Sequence, residues 1–424
     1  MYQFMITILA IYTTYMLFVF CSYVFFVILL PKSKKTDYFN HGIDKDFITY
    51  LIIPCLNEEA VIEKTLKSLL SNAPQNLKIY VIDDASDDRT AEIVNEYPDE
   101  RVHLFRRKAP DARAGKGKAL NACYAHIAKE IESLNYEAED VIVGVFDADA
   151  HISEDHYDII KKYFQDSKVG AVQSRIKMVN TDNLLQKMQN YEFQVEITAI
   201  QNSREYLDSV CMGGNGQYIR FTALQSLDGE PWDTCLLEDF EIGLKILLKG
   251  WQTKFAIEAD VEQQAIKNYY YFVRQRSRWI QGNMQARKYS RDILDSKLSK
   301  LAKLDLIYFL TQSWKGILGI LVTIFYTYIL GTIFESIIIN AQLTGFQEVG
   351  VNLLLMIIIL NYIPTLALYV WKIKNCYRKG EWKLDIFCIF LNPVYRIMMY
   401  PATLIAFKRE VFGQKGWIKT KRNV

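Results

Sequence analysis

A charged, alternating middle held between apolar ends constrains this chain of 424 residues more than any other feature. Residues 41–300 have the charge and pattern of a folded domain, whereas residues 6–30 and several blocks beyond 306 are apolar runs of membrane length. About 20 consecutive apolar residues cross a bilayer. The sequence therefore has to set one α/β-patterned domain beside a membrane. Lys and Arg (50) nearly cancel Asp and Glu (48), so no global field draws in nucleic acid, and no such partner is expected. Seven scattered cysteines without CxxC spacing form neither a disulfide framework nor a zinc site, which fits a reducing compartment.

Residues 1–31 are expected to form an N-terminal membrane helix. No basic residue precedes the apolar run, and Pro31-Lys32-Ser33-Lys34-Lys35 follows it, which sets the N-terminus outside and the domain in the cytoplasm. Residues 306–339 are too long for one simple span, so 306–315 is expected at the interface and 316–339 across the bilayer. Residues 351–371 cross back to a basic cytoplasmic segment at 372–379. Residues 384–407 are interrupted by Pro393, Arg396 and Pro401 and carry positive charge on both flanks. They read as a re-entrant or in-plane element, with a fourth span as the alternative. The expected organisation is a membrane helix (1–31), an α/β domain (45–268), interfacial helices (269–315), a C-terminal membrane region (316–407) and a basic tail (408–424). Such a chain is a multi-pass protein of the plasma membrane with its domain in the cytoplasm.

In the middle, short apolar strands alternate with helical patterns. Residues 50–54, 78–82 and 141–146 read as buried strands, and 61–70, 90–96 and 119–131 as helices. This alternation predicts a mostly parallel sheet covered on both faces, with ligands beyond the carboxyl ends of the strands. Those ends carry acids: Asn57-Glu58, Asp83-Asp84 and Asp147-Ala148-Asp149. Three acidic sets at one sheet edge repel one another unless something positive lies among them. Asp147 and Asp149 flank a small residue and suit one divalent cation, Mg2+ or Mn2+, whose shell is completed by phosphate and water; a solvated acidic turn is the plainer alternative. The glycine-bearing loop 111–118 precedes a helix and offers Lys118 to a phosphate, although its spacing is not that of a nucleotide-triphosphate loop. On a helix, Gln275, Arg278 and Trp279 share one face, able to hold a phosphate and a sugar ring or to lie on lipid headgroups.

In order, Asp83-Asp84, Asp147-Ala148-Asp149, Glu238-Asp239 and Gln275-Arg276-Ser277-Arg278-Trp279 resemble the D, DxD, ED, QxxRW series of inverting family 2 glycosyltransferases with a GT-A fold. Within them the layout is similar to the membrane-embedded processive synthases of cellulose, hyaluronan, chitin and poly-N-acetylglucosamine. The resemblance implies a UDP-sugar donor bound by Asp83, Asp84, Glu58, Lys118, Asp147 and Arg278, and a metal on Asp149 and Asp147. It implies Asp239 as general base, supported by Glu238, and a glycan acceptor at Gln275, Arg278, Trp279 and the Gly214-Asn215 loop. Leu237 stands where the family has Thr, so a local hydroxyl hydrogen bond is absent. The small membrane part implies a minimal pore, or one completed by a second copy or by a small membrane subunit. A non-processive transfer to a lipid is the alternative reaction, and an inactive scaffold a further one.

Overall fold

The computed structural model describes residues 45–233, 235–339, 365–372 and 382–414, with scattered positions elsewhere. Nearly all of the N-terminal helix expected at 1–31, residues 353–354, 356–361 and 364 of the return span at 351–371, and the tail beyond 414 lie outside the described residues.

The strands are β1 (Ile48–Cys55), β2 (Leu77–Asp83), β3 (Val102–Arg106), β4 (Val141–Val145), β5 (His151–Ile152), β6 (Val169–Val179), β7 (Gln217–Arg220) and β8 (Gln252–Gln264). The helices of the domain are α1 (Ile62–Leu70), α2 (Thr90–Asn95), α3 (Lys116–Ser133), α4 (His156–Phe164), α5 (Leu184–Tyr191), α6 (Thr198–Leu207), α7 (Phe221–Gln225) and α8 (Glu238–Leu248). A π-helix, Glu192–Ile197, joins α5 to α6. Then follow α9 (Tyr269–Gln285), α10 (Ser290–Asp295), α11 (Lys300–Ile338), α12 (Trp382–Met398) and α13 (Tyr400–Val411).

The eight strands among the described residues form one sheet in the order β3-β2-β1-β4-β7-β6-β8-β5. The half from β3 to β4 is parallel, with Cys55 beside Asp83 and Ile52 beside Val145. β7 then enters antiparallel between β4 and β6, and β5 runs antiparallel to β8. The mostly parallel sheet of the sequence reading is thus a mixed sheet. The reason is local: the turn at Gly213–Gly216 feeds β7 in from the carboxyl end of β4, where a parallel crossover would have entered from the other end. β1 and β4 are buried along almost their whole length, as expected of strands covered on both faces. Helix α1 buries Ile62, Thr65, Leu66 and Leu69, a spacing that presents one stripe to the sheet.

Helix α11 runs unbroken for 39 residues, with no interruption at Lys315. Its first turns bury Ala302, Leu306 and Leu310 against Phe240, Leu244 and Ala286 of the domain, and Arg204 reaches Asp305 at 2.8 Å. Further along, Leu321, Ile324, Tyr328, Phe334 and Ile337 are exposed. Helix α12 contains Pro393, and α13 starts with Pro401 in its first turn. A missing N–H and a ring clash explain why the two are separate helices that meet at Met399. Among the described residues, Lys300–Ile338 and Ile386–Val411 are long and apolar enough to cross a membrane.

Candidate active site

The loops at the carboxyl ends of β1, β2 and β4 open onto one cavity of about 660 Å3. Glu58, Asp84, Lys116, Asp147 and Asp149 line its sheet side. Asp84 is buried and receives Arg107 Nη1 at 2.6 Å. Glu58 is anchored through its backbone N–H, which donates to Thr90 Oγ1 at 2.8 Å. The Asp147–Asp149 turn is held from three sides. Thr65 Oγ1 donates to the Ala148 carbonyl (2.7 Å), Asp147 N–H donates to Asn215 Oδ1 (3.1 Å), and Gln264 N–H donates to Asp149 Oδ2 (3.2 Å). Such bracing fixes the turn that carries the two carboxylates, and the Asp149 carboxylate itself.

Glu238 and Asp239 open helix α8, where the Phe240 N–H donates to Asp239 Oδ1 at 3.0 Å. Negative charge suits a helix N-terminus. Lys116, the first residue of α3, puts its ammonium 3.5 Å from Asp147 and 3.4 Å from Glu238. A clamp sets this distance. Asn121 Nδ2 donates to the Trp232 carbonyl (2.6 Å), and Trp232 N–H donates back to Asn121 Oδ1 (3.0 Å). α3 is thereby tied to the loop that leads into α8. Gly117 belongs to the same contact, since a Cβ there would collide with the Asp233 carbonyl.

Burial pushes Glu238 up to about 7, helped by the Asp239 charge and opposed by Lys116 and Arg278. Burial also raises Asp239, with Lys116 again pulling it down. For Lys116 burial works against the charge, yet Asp147, Glu238 and Asp239 outweigh it and hold the ammonium protonated. Lys116 and Arg278 both lie among Asp147, Glu238 and Asp239, and Arg107 pairs with Asp84, which together give the acidic edge the positive charge it required.

Helix α9, capped by Asn268, whose Oδ1 accepts from Tyr270 N–H at 2.8 Å, supplies the opposite wall with Gln275, Arg278 and Trp279. Its alignment with α8 comes from Gly282, which lies against Leu237 so closely that a Cβ would clash, and from Gln285 Oε1, which accepts from Leu236 N–H at 3.1 Å. Gly214, with φ +87°, lies against the Asp239 carboxylate, and a Cβ there would collide with it. The site thus brings carboxylates able to take a proton, cations able to meet a phosphate, and an indole into a single cavity.

A family model described as glycosyltransferase like family 2 matches residues 46–282, more than half of the chain. The chain is a family 2 glycosyltransferase. The transferase is 31% identical over 55% of its length to a β-monoglucosyldiacylglycerol synthase of Nostoc sp., of which it covers 48%. It is 28% identical over 59% of its length to a poly-β-1,6-N-acetyl-D-glucosamine synthase of Staphylococcus aureus, of which it covers 57%. The chain therefore spans about half the length of these curated relatives. A protein of Bacillus subtilis named "Probable glycosyltransferase YdaM" is matched at 27% identity over 88% of this chain and 86% of that protein. In fold, the transferase is similar to a mannosyltransferase of Pyrobaculum calidifontis solved with GDP-Man and Mn2+ (TM-score 0.55, 17% identity, 96% of this chain and 99% of that one).

Four of the expected site residues fall elsewhere. Lys118 does not line the cavity; it pairs with Glu230 at 2.7 Å. Two residues along a helix turn the side chain by about 200°, so Lys116 takes the place instead. Asp83 is fully buried, paired with Arg106 at 3.1 Å and accepting from Ser86 N–H. Consecutive residues at a strand end face opposite ways, and only Asp84 reaches the cavity. Asn215 lies beneath the cavity wall, its side chain engaged by Asp147 and Gln263. Gly214 contributes space for Asp239 and is not itself part of the lining. Sequence reasoning also missed Lys116, Arg107 and Arg276. Gly115 immediately before Lys116, at φ +110°, marks the start of α3 and was the available signal for the first.

Asp147 and Asp149 fit a divalent cation in a particular way. Among the described residues no three His, Cys, Asp or Glu side chains converge on one point. The pair would therefore supply the protein's share of a shell completed by a diphosphate, the usual arrangement for Mg2+.

Proposed function

We propose that the transferase moves a sugar from a UDP-sugar to the end of a growing β-linked polysaccharide, with inversion at the anomeric carbon. The observation that carries this reading is the single cavity that Asp239, Lys116, Asp147 and Trp279 line together. Asp84 and Glu58 take the nucleoside side, and Lys116 and Arg278 meet the diphosphate. Asp147 and Asp149 hold Mg2+ or Mn2+, which when bound offsets the charge on the departing UDP. Asp239 receives the proton of the attacking hydroxyl, and Glu238 keeps the local charge balanced against Lys116. Trp279 stacks under the terminal acceptor sugar, with Gln275 beside it.

The cavity is also lined by Asn283, Gln312 and Ser313, polar side chains that suit a glycan. Ile197, Ile200, Ile280, Phe309 and Met399 line it too, and this apolar share favours a second reading, transfer to the hydroxyl of a membrane lipid. The long apolar helices α11 and α12–α13 support a multi-pass position in the plasma membrane with the catalytic domain in the cytoplasm. A second copy or a small subunit would then complete a translocation path. The deciding experiment supplies the purified full chain in lipid with one radiolabelled UDP-sugar at a time, UDP-N-acetylglucosamine and UDP-glucose first. High-molecular-weight product is expected; a single lipid-mobile species would transfer the assignment to the second reading, and no UDP release with any donor would end both.

A further inference from the structure

We propose that Arg276, inside the Gln275–Trp279 segment, is a positioning residue: its forked ion pair with Glu192, completed by Tyr395 of α12, fixes the plane of the Trp279 indole for the acceptor. The inference rests on the reading of Trp279 as the acceptor platform. Arg276 and Trp279 stand three apart on α9 and so lie side by side. The guanidinium carbon sits 4.4 Å from the centroid of the Trp279 ring, the geometry of a cation–π contact. Both terminal nitrogens of Arg276 are committed to Glu192, Nη1 to Oε1 at 3.1 Å and Nη2 to Oε2 at 2.6 Å. Such a fork fixes orientation as well as distance. The Tyr395 hydroxyl donates to the same Glu192 Oε2 at 2.7 Å. Phe193 meets the indole edge-on with centroids 6.3 Å apart. The ring is thus held over one face and along one edge, and what remains of its surface lines the cavity.

Glu192 opens the π-helix, a feature frequent at functional sites. One turn on, Glu196 accepts from Asn392 Nδ2 (2.7 Å) and from Arg396 (3.1 Å). Both carboxylates of this short segment therefore grip α12. The orientation of Trp279 is linked through Glu192 to the seating of a helix outside the catalytic domain. The guanidinium also lies over Phe272 (5.1 Å) and Phe193 (5.9 Å), with Trp279 the nearest of the three rings, so it joins the indole to the packed interior of the domain.

The test uses the full chain in lipid and the variants Arg276→Gln, Arg276→Lys and Tyr395→Phe. A β-linked tetrasaccharide of N-acetylglucosamine is the acceptor in one arm and diacylglycerol vesicles in the other, and the arm that the wild type uses is carried forward. Arg276→Gln is expected to raise the acceptor KM about tenfold while the donor KM moves less than about twofold. Arg276→Lys, which keeps the charge and loses the fork, should recover part of the loss, and Tyr395→Phe should shift the acceptor KM in the same direction by about threefold. A second readout is independent of turnover: the Trp279 fluorescence, obtained by subtracting Trp279→Phe, should become more accessible to acrylamide in Arg276→Gln. Unchanged quenching and acceptor KM would overturn the proposal, as would donor and acceptor KM rising together. Should Arg276→Gln fail to fold, Tyr395→Phe decides the matter, and unchanged Trp279 quenching there overturns the link. No transfer by the wild type in either arm would strike the functional reading, while the quenching still tests the role of Arg276.

Discussion

At the sheet side of the cavity, Asp84, Lys116 and Asp147 arrive from neighbouring strand–loop units, each aimed by the strand or helix end that carries it. At the α9 side, Trp279 is held by Arg276, Glu192 and Tyr395, and the last of these lies 119 residues from Arg276 in sequence. The sheet side is braced within the sheet and its loops, as by Asp147 N–H to Asn215 and Gln264 N–H to Asp149. The α9 side is tied to the distant helices α12 and α13, through Tyr395 on Glu192 and through Gln281, which accepts from Arg409 at 2.9 Å. A wall braced within one sheet depends on that sheet alone, whereas one tied to remote helices depends on their staying in place. Substitution at the two walls should therefore fail in different ways.

The largest expected effect lies between the walls. Asp239→Asn keeps the shape and removes the proton acceptor, so kcat should drop by about 10²- to 10⁴-fold with the donor KM little changed; full activity in a steady-state assay would remove Asp239 from its role. At the sheet side, Lys116→Met leaves Asp147, Glu238 and Asp239 with Arg278 as their remaining shared cation. A loss of about 10²-fold in kcat/KM is expected, against less than about twofold for Lys118→Met, which breaks only an exposed pair with Glu230. Equal losses for the two lysines would contradict the geometry of α3. Chelation by EDTA should abolish turnover, and added Mg2+ or Mn2+ should restore it; Asp149→Asn should raise the metal concentration needed for half activity.

The smallest effect is a shift in pH. As the proposed base, Asp239 acts when deprotonated, and burial raises it, so kcat/KM should fall as pH is lowered, at a higher pH than an ordinary Asp would give. Lys116 lowers both Asp239 and Glu238. Its removal must raise them further, and the acid limb of Lys116→Met should move to higher pH. A limb that stays in place would mean that the ammonium does not govern the carboxylates.

Much of the sheet side was legible because strand and helix periodicity places consecutive loops at one edge. The acids after β1, β2 and β4 needed only that rule. The same rule could not choose between Lys116 and Lys118, since the choice depends on where α3 begins, and Gly115 decides that by its backbone conformation. Nor could it separate Asp83 from Asp84, which differ only in the face of the sheet they take. β3 and the antiparallel entry of β7 were not visible: β3 is a short strand, and the direction of β7 is set by the turn before it. Gln275, Arg278 and Trp279 could be assigned to one helical face from spacing. Their alignment with Asp239 required Gly282 against Leu237, a contact between elements that no local pattern encodes.

By itself the sequence determined the alternation of strands and helices, the order of the acidic motifs, and the apolar segments beside them. These are local properties, written in periodicity and composition over a few residues. The tertiary structure decided which lysine stands among the carboxylates, that Asn215 braces the Asp147–Asp149 turn, and that Arg276 lies over Trp279. Each depends on where separate elements come to rest against one another, and that is fixed by packing across the whole domain.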